Sequence, residues 1–175
     1  MVTTACLPAS RLRAIRALLD EAFAADADRF DDLDWEHALG GTHVLAEAEG
    51  RIVAHAAIVH RTLHVAGTPL RTGYVEAVAT VTARQGAGIG SMVMDEVGRL
   101  IRERFELGAL GTGRHAFYAR LGWETWRGPS FVRTGDSLEP TPDDDGSIMV
   151  LRTPSTPRLD LDAAITSDWR AGDVW

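Results

Sequence analysis

The spacing of apolar residues along the chain predicts an alternation of helices and strands. In the first half, helical spacing and period-two alternation predict two helices and three strands, at 10–25, 35–39, 43–49, 51–65 and 70–81. Ser10 is the expected cap of the first helix. Because tight turns at 49–50 and 67–69 join the three strands, we expect them to form an antiparallel meander.

The second half of the chain continues the alternation with shorter elements. A strongly amphipathic helix is predicted from about Gly88, with apolar positions at helical spacing as far as Phe105. The other predicted elements are a short helix at 115–121 and strands at 108–112, 123–126, 131–134 and 147–152. Pro154 and Pro157 predict an extended rather than a helical tail.

The junction between the third strand and the long helix carries the clearest chemical signal. The apolar run 74–81 leads into Arg84-Gln85-Gly86-Ala87-Gly88-Ile89-Gly90 at the start of the helix. Glycines allow a tight turn and a close approach between the backbone and a ligand. A helix N-terminus offers unpaired N–H groups and a positive dipole, which suit a phosphate or pyrophosphate. Glu76, a carboxylate within the apolar strand, suggests catalysis beside such an anion site.

Three kinds of glycine-rich loop are candidates for this junction. A Walker-type loop requires a lysine, and all 18 basic residues of this chain are arginines, which also excludes lysine Schiff-base chemistry. The dinucleotide pattern Gly-x-Gly-x-x-Gly has a different spacing. The third pattern, Gln/Arg-x-x-Gly-x-Gly/Ala, matches 85–90 at every fixed position. This loop resembles the acetyl-coenzyme A loop of the GCN5-related N-acetyltransferase (GNAT) family, and a plain glycine-rich helix cap is the alternative.

Length, charge and cysteine content narrow the functional class. With 175 residues, the chain is predicted to form a single domain over 1–175. A formal net charge of −7 argues against a nucleic-acid partner. No apolar run approaches the roughly 20 residues that span a bilayer, and the first ten residues lack a signal pattern, so we expect no membrane partner and a cytoplasmic location. Cys6 is the only cysteine, which excludes an internal disulfide and a cysteine-rich metal site.

Acidic residues are concentrated in three short segments, at 26–36, 143–145 and 168–175. Each segment alone is typical of a solvated loop. Three of them in a cofactor-dependent enzyme favour a cationic substrate, although an exposed ion pair contributes only about 0–1 kcal/mol. The six histidines show no metal-ligand spacing with a third ligand, so no metal is expected.

Several longer strings resemble one branch of the acetyltransferases. They are residues 34–43, 73–78, 107–110, 141–146, with the sequence Thr-Pro-Asp-Asp-Asp-Gly, and 168–175, with the sequence Asp-Trp-Arg-Ala-Gly-Asp-Val-Trp. Together they resemble the aminoglycoside 2′-N-acetyltransferases, from about Ala22 to Trp175. The order of predicted elements is also the order of that fold.

The resemblance implies the fold class, the reaction and the partners. The fold would be α/β of the α+β kind, with a central mixed and mostly antiparallel sheet flanked by helices and splayed at the acetyl-coenzyme A site. The reaction would move the acetyl group of acetyl-coenzyme A to the 2′-amino group of an aminoglycoside antibiotic, without a metal. The protein would be a homodimer.

The resemblance also implies roles for particular residues. Glu76 matches a general base that acts through water, and Tyr118 matches a tyrosine that protonates the departing thiolate. The implied acetyl-coenzyme A contacts are Val78, Ala79, Thr80, Arg84, Gln85, Gly86, Ala87, Gly88, Ile89 and Gly90. The implied substrate-binding residues are Asp26, Asp28, Asp34, Glu76, Ala77, Gly111, Asp143, Asp144, Asp173 and Trp175 with its terminal carboxylate.

Two departures from the family pattern affect these assignments. The acidic loop has about three extra residues before Phe30, so either Asp26 or Asp28 matches the first substrate-binding aspartate. Gly111-Thr112-Gly113 stands where relatives carry serines, and the stretch to Tyr118 is shorter, which leaves the register of Tyr118 open.

The residues support this chemistry but leave alternatives. Burial among valines and alanines makes a carboxylate a better proton acceptor, and the Val78 N–H is the expected donor to the thioester oxygen. Glu76 could instead pair with Arg71 or Arg114, and Tyr118 could simply belong to the core. The same fold could acetylate an amino sugar, a polyamine or a protein N-terminus. A protein that binds cationic drugs without modifying them is a further alternative.

Overall fold

The computed structural model describes residues 1–24 and 30–175. The predicted substrate-binding positions Asp26 and Asp28 therefore lie outside the described residues. The helices are α1 (Ala9–Ala22), α2 (Asp32–Ala38), α3 (Ile89–Arg104) and α4 (His115–Ala119). The strands are β1 (Val2–Thr3), β2 (Thr42–Ala48), β3 (Arg51–Val65), β4 (Thr68–Thr80), β5 (Leu107–Gly111), β6 (Glu124–Thr125), β7 (Ser130–Thr134), β8 (Ser137–Pro140), β9 (Ile148–Arg152) and β10 (Ile165–Asp168).

These elements fall into two compact units. The first unit contains Met1–Val59 and Val75–Val97, and the second contains His60–Tyr74 and Gly98–Trp175. Strands β3 and β4 and helix α3 contribute residues to both units. No helix within residues 1–24 and 30–175 combines the length and the apolar character needed to cross a bilayer.

In the first unit, helix α1 contributes an apolar face to a small core. Ile15, Leu18 and Leu19 cluster with Leu7 and with Ala79 of β4, as their helical spacing predicts. Strand β2 pairs antiparallel with β3, from Thr42 opposite Ile58 to Ala48 opposite Arg51, which confirms this part of the predicted meander. The core therefore holds the helix layer against the strand that leads into the glycine loop.

The helix starts in this unit differ from their predicted positions. Pro8, not Ser10, occupies the cap position of α1, and its carbonyl accepts hydrogen bonds from the N–H groups of Arg11 and Leu12. Helix α2 begins at Asp32, three residues before the predicted start at Trp35. The reason is Asp31, whose carboxylate caps the helix by accepting from the N–H groups of Leu33 and Asp34 at 2.7 and 2.9 Å.

Eight strands of a ten-stranded mixed sheet follow the order β6-β9-β5-β4-β3-β10-β7-β8. Of these, β5 to β10 lie wholly in the second unit, which also contains part of β3 and part of β4. Strand β5 pairs parallel with β4 over only three residues, Thr72 to Tyr74 opposite Leu107 to Ala109, and antiparallel with β9 over five residues. The tail is extended as predicted, and it also contributes β10, which pairs antiparallel with β3 and parallel with β7. The fully buried Trp126, Leu107, Leu110, Ile148 and Met149 form much of the core of this unit.

Candidate functional site

The glycine loop after β4 has the backbone geometry of an open turn into a helix. Gly86 and Gly88 have φ values of +78° and +80°, which side-chain-bearing residues rarely adopt. A Cβ atom built on either glycine meets no heavy atom within 4 Å. The Met92 N–H donates to the Gly88 carbonyl at 3.0 Å and begins α3, so the N–H groups of the first turn lack partners within the helix. This geometry fits a phosphate group that approaches the main chain closely.

The two polar side chains of the loop contact other parts of the first unit. The Gln85 carboxamide donates to the carbonyl of Thr80 at 3.2 Å, and the Arg84 guanidinium pairs with the Glu49 carboxylate at 2.8 Å. Gln85 therefore fastens the loop to the end of β4. The predicted role of Arg84 in binding acetyl-coenzyme A would require its guanidinium to serve both partners.

Strand β4 presents its predicted site residues in two directions. Ala79 is buried in the α1 core, so only its backbone is available to a ligand, whereas Val78 and Thr80 are half-buried. Glu76 is half-buried, so it is less buried than we predicted from the valines and alanines beside it in sequence. Ala77 has a φ value of +54°, a left-handed conformation that costs about 1–3 kcal/mol for a residue other than glycine.

Two buried histidines behind Ala77 were missed by the sequence prediction of the site. The His55 Nδ1 lies 2.7 Å from the Ala77 carbonyl oxygen, and the His55 Nε2 lies 2.9 Å from the His43 Nδ1. Burial lowers the pKa of His55 to about 3 and also lowers the pKa of His43, so both rings are neutral at pH 7. The only sequence signal was a pair of histidines inside apolar strands.

Acidic side chains of the second unit gather around Asp144. Burial raises the pKa of the Asp144 carboxyl, and the nearby carboxylates of Asp173 and Asp143 raise it further. Asp145 is engaged differently, because its carboxylate accepts from the N–H and the hydroxyl of Ser130, both at 2.8 Å. The adjacent Asp143 and Asp144 thus form one negative cluster with Asp173, near the end of the sequence, and a cation would stabilise this cluster.

Trp175 packs beside this cluster. Its indole N–H donates to the Thr141 hydroxyl at 3.0 Å, and only 9% of the residue is exposed. A Cβ atom built on Gly111 would lie 2.9 Å from the carbonyl carbon of Trp175. Glycine at 111 therefore leaves room for the Trp175 backbone, which a serine could not do without a shift of that segment.

Arg61 of β3 binds two points of the tail segment that precedes Trp175. The Arg61 guanidinium donates to the Val174 carbonyl at 2.6 Å and to the Ser167 hydroxyl. It also lies over the Tyr74 ring, 4.5 Å from the ring centroid, in a cation–π contact. These contacts fix the position of the tail on both sides of Asp173 and just before Trp175.

Tyr118 on α4 is largely enclosed by aromatic rings. It is 7% exposed, and its ring lies 4.9 Å from the Phe117 ring and 6.2 Å from the Trp123 ring, both in edge-on contacts. Burial raises the pKa of Tyr118 to about 12, against a smaller lowering by Arg114, so its hydroxyl remains protonated at neutral pH. This environment fits either a hydrogen-bond donor or a core residue.

Asp34, a predicted substrate-binding residue in the first unit, has a structural partner. Its carboxylate accepts from the Asp31 N–H at 3.0 Å and completes the cap of α2. Any ligand of Asp34 would therefore share this carboxylate with the helix cap. In the described parts of the chain, no group of three or more His, Cys, Asp or Glu side chains could hold a metal ion.

Comparisons with known proteins agree with these features. The family described as "Acetyltransferase (GNAT) domain" matches residues 7–126. An aminoglycoside 2′-N-acetyltransferase from Mycolicibacterium fortuitum is 42% identical over 179 residues, which cover 100% of this chain and 90% of that protein.

Two solved structures share the fold at low sequence identity. A GNAT family acetyltransferase from Brucella melitensis in complex with acetyl-CoA has a TM-score of 0.60 and 21% identity, over 88% of this chain and 90% of that chain. A GNAT family N-acetyltransferase from Escherichia coli in complex with CoA has a TM-score of 0.61 and 18% identity, over 92% of this chain and 86% of that chain. The predicted fold class and family are confirmed. The chain belongs to the GNAT acetyltransferases, in the branch of the aminoglycoside 2′-N-acetyltransferase of M. fortuitum.

Proposed function

We propose that this protein transfers the acetyl group of acetyl-coenzyme A to the 2′-amino group of aminoglycoside antibiotics. The observation that carries the proposal is the 42% identity along the whole chain to a protein with that activity in its name. A shared fold alone would not choose a substrate, because one fold hosts many functions. Inactivation of the antibiotic, and hence resistance, is the expected consequence.

The glycine loop is the proposed pyrophosphate site of the cosubstrate. The positive φ values of Gly86 and Gly88 and the open space beside them support a close main-chain contact. The half-buried Val78 and Thr80 of β4 are the proposed contacts for the pantetheine arm. The acetyl thioester supplies the group that is transferred.

The acidic cluster of the second unit is the proposed contact for the drug. Aminoglycosides carry several ammonium groups. A bound cation would reduce the electrostatic repulsion of Asp144 by Asp143 and Asp173. Micromolar affinity requires about 8 kcal/mol, whereas an exposed ion pair contributes about 0–1 kcal/mol. Several carboxylates must therefore act together, and Trp175 is the proposed apolar contact beside them.

The proposed chemistry is direct attack of the amine on the thioester. Glu76 accepts a proton from the 2′-ammonium group through water, and the freed amine forms a bond to the acetyl carbon. The Val78 N–H donates to the acetyl oxygen as charge develops on it. The carbon–sulfur bond breaks, the sulfur leaves with the electron pair, and the nitrogen loses its remaining extra proton to water.

Tyr118 is suited to a limited part in the last step. With a pKa of about 12 it keeps its proton, and an ordinary alkyl thiol has a pKa of about 8.5. Complete transfer of the proton to the thiolate is therefore unfavourable by roughly three orders of magnitude. Donation of a hydrogen bond to the sulfur is the role that we assign to it.

We further propose that the protein is a cytoplasmic homodimer without nucleic-acid or membrane partners. The dimer rests on the resemblance to the family. The excess of negative charge, −7 over the chain, supports the absence of a nucleic-acid partner.

Initial rates across a matched set of acceptors test the proposed function. The purified protein is incubated with acetyl-coenzyme A and either a 2′-amino aminoglycoside or its 2′-hydroxyl analogue, with thiol release and product mass as readouts. We expect one acetyl group on the 2′-amino compound and none on the analogue. Equal turnover of a polyamine would favour a different acceptor, and drug binding without thiol release would favour the non-catalytic alternative.

A further inference from the structure

A continuous series of hydrogen bonds runs from the exposed Gly40 through two buried histidines of the first unit to Ala77. It begins at the Gly40 N–H, which lies 3.1 Å from the Thr4 hydroxyl. The Thr4 hydroxyl lies 2.7 Å from the His43 Nε2. The chain continues through the His43 Nδ1 and the His55 Nε2, and it ends where the His55 Nδ1 lies 2.7 Å from the Ala77 carbonyl. Both rings are 0% exposed.

The Ala77 carbonyl, at one end of this series of hydrogen bonds, fixes which group donates in each bond while both rings are neutral. A carbonyl oxygen can only accept, so the His55 Nδ1 must carry the proton and donate to Ala77. The Nε2 of a neutral His55 then accepts from the His43 Nδ1–H, and the His43 Nε2 accepts from the Thr4 hydroxyl. The Thr4 oxygen in turn accepts from the Gly40 N–H. A proton added to the His55 Nε2 would make two N–H groups face each other, so His55 must stay neutral. The Thr4 hydroxyl also lies 3.3 Å from the Gly41 carbonyl, so it donates to the His43 Nε2 while His43 is neutral and could donate to Gly41 instead if His43 gained a proton.

The hydrogen bonds of the two histidines matter because they end on Ala77, next to the Val78 N–H. The carbonyl of Ala77 and the N–H of Val78 belong to one planar trans peptide group and point in opposite directions. A donor that holds the carbonyl therefore also sets the direction of the N–H. The left-handed φ of +54° at Ala77 makes this orientation costly, so it requires support from the surrounding structure.

We propose that the His55–His43 pair, anchored by Thr4, is a positioning device that aims the Val78 N–H at the acetyl oxygen. This inference rests on the proposed function, in which Val78 is the donor to that oxygen. His55 and His43 touch neither the drug nor the cosubstrate, and they act through the Ala77–Val78 peptide group. Because the chain ends on a carbonyl that cannot pass on a proton, its role is orientation and not proton transfer.

Two substitutions at position 55 separate the link to Ala77 from the link to His43. Asparagine places an amide N–H near the site of the imidazole Nδ1, so His55→Asn retains the donor to Ala77 and loses the acceptor for His43. Glutamine places its amide near the site of the Nε2, so His55→Gln retains the partner of His43 and loses the donor to Ala77. Each variant loses one buried hydrogen bond, which makes them matched controls for stability.

Steady-state kinetics well below the melting temperature of both variants give the first readout. Removal of an oxyanion donor lowers kcat by about 10²–10³, so we expect misalignment in His55→Gln to lower kcat by about 10-fold or more. We expect His55→Asn to stay within about three-fold of the wild type, and the KM for acetyl-coenzyme A to change by less than about two-fold in both. Equal losses of kcat in the two variants, or an unchanged kcat in His55→Gln, would overturn the inference.

Nitrogen-15 spectra give a second readout that requires no acceptor, and the histidine signals in it require only the wild-type protein. We expect both histidines to be neutral with the proton on Nδ1, and a proton on the His55 Nε2 would overturn the inference. The Val78 amide signal should move more in His55→Gln than in His55→Asn. If the wild type acetylates no aminoglycoside, the proposed function fails, whereas these signals still decide whether the histidine pair sets the Ala77–Val78 peptide group.

Discussion

The two compact units carry proposed binding features of different kinds. In the first unit, the features are main-chain ones: the turn at Gly86 and Gly88, the start of α3 and the left-handed Ala77. In the second unit, they are charged side chains, with Asp144 crowded by Asp143 and Asp173. Main-chain geometry is set by local conformation and tolerates few side chains, whereas a carboxylate cluster works by the number and spacing of its charges. The first arrangement suits a cosubstrate of constant structure, and the second suits a family of polycationic drugs.

The largest expected effect comes from Glu76 in the first unit. Glu76→Gln keeps the size of the side chain and removes the proton acceptor, so we expect kcat to fall by about 10²–10⁴ with little change in the KM for acetyl-coenzyme A. The exposed Glu139 offers the same chemical change in the second unit, and Glu139→Gln should leave kcat unchanged. Retention of wild-type kcat by Glu76→Gln would remove Glu76 from the role of base.

Gly88→Val tests whether the loop recognises the cosubstrate through its main chain. A side chain at Gly88 would project into the open space beside the start of α3, so we expect the Kd of acetyl-coenzyme A to rise by about 10–100-fold, which corresponds to about 1.4–2.7 kcal/mol. Calorimetric titration with coenzyme A measures this change.

Gly67 provides a matched control for that substitution. Its φ of +81° is close to the +80° of Gly88, and a Cβ atom at Gly67 also meets nothing within 4 Å. Gly67→Val should therefore carry a similar conformational cost without affecting coenzyme A. If both variants bind coenzyme A equally well, the loop assignment is wrong.

The smallest expected effect belongs to the charge cluster of the second unit. Asp144→Asn should raise the aminoglycoside KM by about 3–10-fold, because a partly buried charge interaction contributes more than an exposed one, and it should leave the KM for acetyl-coenzyme A unchanged. Asp136→Asn, at an exposed turn between β7 and β8, is the control. Parallel increases in both KM values would point to a general loss of structure.

The pH dependence of drug binding provides a second readout for the same pair of variants. The raised pKa of Asp144 means that this carboxyl takes up a proton at a higher pH than an ordinary aspartate does. As the pH falls, the wild type should lose aminoglycoside affinity earlier than Asp144→Asn, whose side chain carries no charge to lose. An equally steep loss in the variant would exclude Asp144 as the group responsible.

The features that the sequence predicted best depend on short stretches of chain. The glycine loop, the α1 face and the turn at 49–50 follow from spacing within a few residues, and the structure has them near the predicted positions. The helix starts at Ala9 and Asp32 were misplaced because Pro8 and Asp31 are the caps, and several residues in each region could have served.

Features that depend on strand register could not be predicted in this way. His43 and His55 meet because β2 and β3 pair with Leu45 opposite His55, which places the two rings diagonally across the strand pair. A shift of one residue would have sent one of them to the other face. The crowding of Asp144 by Asp173 likewise depends on the course of the tail, and its only sequence signal was the resemblance to a family.

The contacts of Arg61 have a consequence for how the proposed drug contacts of the second unit are held in place. One guanidinium joins the middle of β3 to Ser167 and Val174, so the last stretch of the chain is secured by a residue more than 100 positions earlier. A backbone cleavage or a substitution that loosened this stretch would deprive the Arg61 guanidinium, which lies over Tyr74, of those acceptors. Arg61 would be affected although it is far in sequence from the altered residue. Substitutions at either end of this connection should therefore produce the same defect, namely a displaced Asp173 and a weaker form of the proposed aminoglycoside contact.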